Sequence, residues 1–250
     1  METEKNGENR RWAALFGALV GLMLLGMGLP AGGAVELDSK DYAYAVIFAV
    51  DEDGDYGPIN EGWALHNWLI DHGWLDSHII FLADHDGADG PATKENLRDA
   101  IEYIADHSSP ESKVFISVMD HQSWINGHCY IQTKNGLVSA LELRDWINDI
   151  AIYKSMTIEL SSRYSGAFIE DLVGDDRLII TSHTSLESYT PNHFLLSESL
   201  SDPDADTSGD GFVSVQEAFA HQANKIQQQY PGTQTPQIED SAGTVILDVA

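Results

Sequence analysis

Asp206, Ser208, Asp210, Phe212, Ser214 and Glu217 stand at the spacing of a loop that wraps one hard dication. Calcium takes roughly six to eight oxygen ligands, and a twelve-position loop supplies them from positions 1, 3, 5, 7, 9 and 12. The run Asp206-Thr207-Ser208-Gly209-Asp210-Gly211 puts side-chain oxygens at the first three of those positions and glycine at the sharp sixth. Phe212 offers its carbonyl, Ser214 its hydroxyl, and Glu217 a bidentate carboxylate at the end. Calcium is therefore the expected cofactor, in a structural role, because no partner loop accompanies this one. A second acidic run, Asp51-Glu52-Asp53-Gly54-Asp55, lacks the glycine and the closing glutamate and is rejected as a calcium loop. The ten histidines include no pair at zinc-ligand spacing with a third ligand. The one cysteine, Cys129, excludes an internal disulfide and any multi-cysteine zinc site.

The other residues able to do chemistry lie at the ends of apolar runs. Ala43–Val50, His78–Ala83, Lys113–Met119, Ser155–Leu160 and Arg177–His183 read as strands, most of them apolar enough to be buried on both faces. Helical periodicity fills the intervals: Asn60–His72, Lys94–His107 after a Thr93 cap, and Leu141–Ile150. Cys129–Thr133 and Leu137–Ser139, joined by Asn135-Gly136, read as a hairpin. Such alternation predicts an α/β fold of three layers, doubly wound around a mainly parallel sheet of about five or six strands. Ligands of such sheets gather beyond the carboxyl ends of the strands. Those positions here are Asp51–Asn60, Asp84–Pro91, Asp120-His121-Gln122, Ser161–Gly166 and Ser182–Tyr189, all of them polar.

Two of these segments resemble the active-site motifs of the legumain and caspase-like cysteine peptidases. One is the run into Asp120-His121-Gln122-Ser123-Trp124, and the other is Ser161-Ser162-Arg163-Tyr164-Ser165-Gly166-Ala167-Phe168-Ile169. In that family one strand ends in His-Gly and its neighbour ends in the nucleophilic Cys, so an imidazole meets a thiol. The resemblance implies a caspase-hemoglobinase fold over residues 43–190, with His121 as the retained base. It also puts Arg163 in the nucleophile's position and Gln122 in that of the glycine beside the oxyanion. Arginine is cationic at working pH and cannot act as the nucleophile. Gln122 adds a side chain where close backbone approach is wanted. Asp53, Asp55, Ser182 and Glu187 are the candidate substrate-binding residues beside this cleft. The downstream loop resembles an EF-hand, feeding a helix over Val215–Gln229 within a C-terminal extension, residues 191–250.

Lys+Arg 13 against Asp+Glu 40 leave a net charge of −27, which excludes a nucleic-acid partner that relies on clustered cations. Asn9-Arg10-Arg11, the apolar run Trp12–Leu29 and Pro30-Ala31-Gly32-Gly33-Ala34 have the order of a secretory signal. The apolar run is also near the ~20 residues that span a bilayer, so an uncleaved anchor competes with cleavage after Ala34. Either arrangement puts the remainder, after a linker at residues 35–42, outside the cytoplasm. The expected function is that of an exported, calcium-stabilised pseudopeptidase that binds a peptide or protein. The alternatives are an active cysteine endopeptidase with an unexpected nucleophile such as Cys129, and an unrelated doubly wound binding module.

Overall fold

Ala43–Ala49 (β1) has every residue buried, as a strand enclosed by neighbours on both edges and both faces must. The computed structural model describes residues 39–51, 54, 57–120, 122–187 and 194–249. The leader, the linker up to residue 38, Asp53, Asp55 and His121 lie outside the described residues. Among the described helices none is long and apolar enough to cross a membrane.

Along the chain β1 is followed by helix α1 (Gly57–Asp71), strand β2 (Ile79–Ala83), helix α2 (Lys94–His107) and strand β3 (Lys113–Met119). A small three-stranded antiparallel sheet comes next: β4 (Ser123–Ile125), β5 (His128–Thr133) and β6 (Gly136–Ser139). Helix α3 (Ala140–Asn148), strand β7 (Ser155–Ser161), the short α4 (Ile169–Leu172) and strand β8 (Arg177–Thr181) complete the alternating part. Then come α5 (Leu196–Leu200), α6 (Val215–Gln229) and strand β9 (Gln237–Asp240). The main sheet has the order β2-β1-β3-β7-β8-β9, parallel throughout except for β9, which pairs antiparallel with β8.

Helices cover both faces. On one face Leu65 and Leu69 of α1, Leu196 and Leu200 of α5, and Val215, Ala218 and Ile226 of α6 pack on Ile47, Phe81 and Phe115. On the other, Leu97, Ile101 and Ile104 of α2 and Leu143 and Ile147 of α3 pack on Val46, Phe48, Ile116 and Ile158. The three-layer, mainly parallel α/β architecture is the one the alternation of runs implies. Local signals fix the helix starts: the Thr93 side chain accepts from the Asn96 amide, and Ser139 and Ser214 form capping boxes with Glu142 and Glu217.

The structure differs from the sequence reading mainly at element ends. Helix α1 starts at Gly57 rather than Asn60, with Pro58 in its first turn, where a missing amide costs nothing. Strand β8 stops at Thr181, opposite Gln237, the first residue of β9. Ser182 and His183 therefore belong to the loop. The hairpin gains a third strand, β4, too short to have left a periodic signal.

Candidate functional site

The carboxyl ends of β3 and β7 are neighbours in register, with Met119 opposite Ser161. Whatever follows them shares one edge of the sheet. After β3, Asp120 is buried and its Oδ2 accepts the Gln132 amide at 2.8 Å, tying the strand end to β5. Gln122 is buried as well, and its Oε1 accepts a hydrogen bond from the Cys129 thiol at 3.1 Å. The Gln122 side chain thus occupies the interior beside the one thiol of the chain. Burial pushes the Cys129 thiol up to about 12, and the Asp120 charge acts in the same direction. Burial and a raised pKa are the surroundings of a thiol packed as a small apolar core residue.

From Ser161, the last residue of β7, the chain passes through Ser162, both buried, to the half-buried Arg163. Tyr164 adopts φ +62°, a left-handed conformation that a bulky side chain seldom takes. Its amide donates to the Glu187 carbonyl at 3.1 Å, and its ring lies 5.4 Å from that of Trp124 on β4. Trp124 and Tyr164 link the segment after β3 to the segment after β7, with Trp124 nearly half exposed. Next comes a 3₁₀ turn, Ser165–Phe168, whose placement is dictated by contact with β8's loop. The Gly166 amide donates to the His183 carbonyl at 2.9 Å. A Cβ at Gly166 would lie 2.2 Å from Gln237 Oε1, 2.8 Å from the Ser185 amide nitrogen and 2.9 Å from the His183 carbonyl oxygen. Only glycine allows so close an approach. Ser165, wholly buried, accepts the His183 amide at 3.1 Å.

Two of the candidate substrate-binding residues serve as braces. Ser182 is buried, and its hydroxyl donates to the Ser162 carbonyl at 3.2 Å and lies 2.8 Å from His183 Nδ1. Glu187 Oε2 accepts the Thr184 amide at 2.9 Å and the Thr235 amide at 3.1 Å. Gln234, from the segment leading into β9, donates through Nε2 to the Ser182 carbonyl at 2.8 Å. The loops after β7 and β8 are therefore locked to each other and to residues 234–237. Sequence reading missed Gln234 and Gln237, and registered Trp124 only as part of the run after β3. Polar residues just ahead of and at the start of an edge strand were the available signal for these two glutamines.

Residues 206–217 form a turn folded around its own acids. Asp206 accepts the Gly209 amide on Oδ1 at 2.7 Å and the Gly211 amide on Oδ2 at 3.0 Å. Asp210 accepts the Phe212 amide at 2.9 Å. Glu217 takes the Ser208 amide on Oε1 at 2.8 Å and the Ser214 amide on Oε2 at 3.0 Å. These donors hold the Glu217 carboxyl down at about 2, with the Ser214 amide the largest cause. Gly209 and Gly211 sit at φ +75° and +92°, which is what a glycine at the sharp turn provides. Among the described residues no three His, Cys, Asp or Glu side chains gather into a metal cluster. The carboxylates and the glycine turn are oxygen donors on a closed loop, the kind of donor set a hard cation would take.

No protein-family model and no curated protein matches this sequence. Solved structures do match. The Drosophila initiator caspase Dronc superposes with a TM-score of 0.55 at 10% identity, over 93% of this chain and 95% of that one. Protein GSU0716 from Geobacter sulfurreducens superposes with a TM-score of 0.54 at 12% identity, over 81% of this chain and 93% of that one. The fold is caspase-like. At these identities the likeness speaks for the fold alone. In this caspase-like chain the strand ends of β3 and β7 carry Gln122 and Arg163.

Proposed function

We propose that this chain is an exported, caspase-like pseudopeptidase that binds a peptide or protein segment at the carboxyl edge of its sheet without cutting it. The observation that carries the proposal is the state of the only thiol. Cys129 is 6% exposed, donates to Gln122 and is pushed up to about 12, while Arg163 occupies the position where the resemblance expects the nucleophile. A cysteine peptidase needs a thiolate within reach of its base. Neither residue supplies one. What remains is a polar edge with the half-buried cation Arg163 and the exposed ring of Trp124, features that suit binding an extended acidic or C-terminal carboxylate-bearing segment.

Calcium belongs to the same proposal. Asp206, Ser208, Asp210, the Phe212 carbonyl, Ser214 and Glu217 would hold it, and its role is to stiffen the loop that starts α6. The basic-apolar-small order of residues 9–34 supports export. To test the binding claim, a pool of fluorescent peptides would be titrated by polarisation and then recovered for mass spectrometry. Saturable binding of intact peptides, weakened in Arg163→Ala, is expected. No saturable binding by any peptide, or recovery of cleaved products, would overturn the proposal.

A further inference from the structure

The centre of the sheet holds an acidic pair that the proposed cleft does not use. In β7 the residues Met156, Ile158 and Leu160 face α2 and α3, which turns Thr157 and Glu159 to the face covered by α1, α5 and α6. Glu159 is completely buried. Its strand neighbours are Ser117 on β3 and Ile180 on β8. Ser117 Oγ donates to Glu159 Oε2 at 2.8 Å, and Oε1 has no hydrogen-bond partner. From α1 comes Glu61, 8% exposed, whose charge acts on Glu159. Gly62 brings α1 close to the sheet beside Glu61. A Cβ on Gly62 would stand 2.8 Å from the Phe81 ring, so its absence lets α1 press against the sheet. Glu61 in turn holds the start of α5: Oε1 accepts the Ser197 amide at 2.9 Å and Oε2 the Ser197 hydroxyl at 2.6 Å.

Among the described residues neither glutamate takes part in an ion pair. The charged groups nearby on the covering helices are occupied with one another. Glu198 of α5 is paired with Lys225 of α6, and His221 of α6 lies 3.2 Å from Ser199 Oγ and 3.7 Å from Asp202. β3 and β8 face Glu159 with Ser117 and Ile180, neither of which ionises. A buried carboxylate with one hydroxyl donor is held far more easily neutral than charged. Burial accordingly pushes Glu159 up to about 8, with Glu61 adding and Ser117 opposing, and pushes Glu61 up to about 7 against its Ser197 bonds.

We propose that Glu159 and Glu61 form a proton-dependent latch, which fixes α1 and the start of α5 to the sheet while protonated and loosens them once both ionise. The sign follows from the two carboxyls sitting above their ordinary range in the folded protein. Between the ordinary glutamate range and about pH 8, the folded state holds more protons than the unfolded chain, so stability falls as pH rises. What weakens is the packing of α1 on the sheet, because ionised Glu61 keeps its two Ser197 donors while two buried carboxylates repel each other. The latch does not depend on what the cleft binds.

The test compares thermal unfolding of the full chain with that of Glu159→Gln from pH 5 to pH 9. Glutamine keeps the size and the acceptor for Ser117 but cannot ionise. The expected wild-type melting temperature falls by roughly 5–15 °C between pH 6 and pH 9, and the variant falls by less than half as much. Hydrogen exchange over residues 59–69 of α1, measured on both proteins at pH 8.5, is expected to be slower in Glu159→Gln. If that variant does not fold, Glu61→Gln takes its place, and infrared spectroscopy of the wild type at pH 6 should show a protonated-carboxyl band that is lost at pH 9. Parallel pH profiles in folded proteins, or no such band, overturn the latch.

Discussion

If Cys129 is a core residue rather than a latent nucleophile, its alkylation in the native protein must be slow by an amount that its surroundings set. An ordinary cysteine with a pKa near 8.5 is about one-tenth thiolate at pH 7.5. With the Cys129 thiol at about 12, the thiolate fraction drops by a further 3–4 orders of magnitude. A more basic thiolate is intrinsically more reactive, which recovers roughly 1.5 of those orders. The chemical step is therefore slowed by about 100-fold, and 6% exposure can only slow it further. The assay is iodoacetamide labelling followed by mass spectrometry, in native buffer and in denaturant. Asp120→Asn removes the second cause of the shift and should speed native labelling. A native rate within threefold of the denatured one would refute the reasoning and reopen Cys129 as a nucleophile.

Gly166→Ala is expected to destabilise the protein by about 1–3 kcal/mol, or roughly 3–10 °C in melting temperature, because two of the three atoms that the new Cβ meets are backbone. Differential scanning fluorimetry checks it, and an unchanged melt would mean that the loops after β7 and β8 are not locked. Calcium at 100 times its dissociation constant should add about 2.7 kcal/mol to stability. That gain, read as a rise in melting temperature reversed by EGTA, should vanish in Glu217→Gln, whose amide oxygen can still cap α6. Arg163→Cys with Gln122→Gly is expected to give peptide hydrolysis above that of Arg163→Cys alone, measured with fluorogenic substrates. An equal, undetectable rate in both folded proteins would mean that the pocket itself has changed.

The elements that sequence patterns located well are those with a local physical signature. Lys94–His107 has its Thr93 cap and apolar residues at helical spacing, and Lys113–Met119 is an apolar run between polar ends. Val215–Gln229 starts at a Ser-x-x-Glu capping box. What was not legible depends on contacts between distant segments. β9 reads Gln-Ile-Glu-Asp, polar and half-exposed, and is a strand only because β8 offers it a free edge. The same holds for the candidate site. The strand ends that carry Gln122 and Arg163 could be read from the order of runs, but the Cys129–Gln122 bond required the β5 hairpin to fold back. Ser182 and Glu187, expected beside a ligand, also brace the loops, which sequence alone does not reveal. The Glu61–Glu159 pair left one trace in the sequence, the alternation of Thr157 and Glu159 inside a strand that the sheet order makes central.

Loss of catalysis with retention of the cleft is tested most directly by steady-state hydrolysis. The purified chain would be assayed with Asn-, Asp-, Arg- and Lys-directed fluorogenic peptides, with and without calcium, beside His121→Ala. The expected result is no turnover above buffer in any condition. Turnover that disappears in His121→Ala would contradict it.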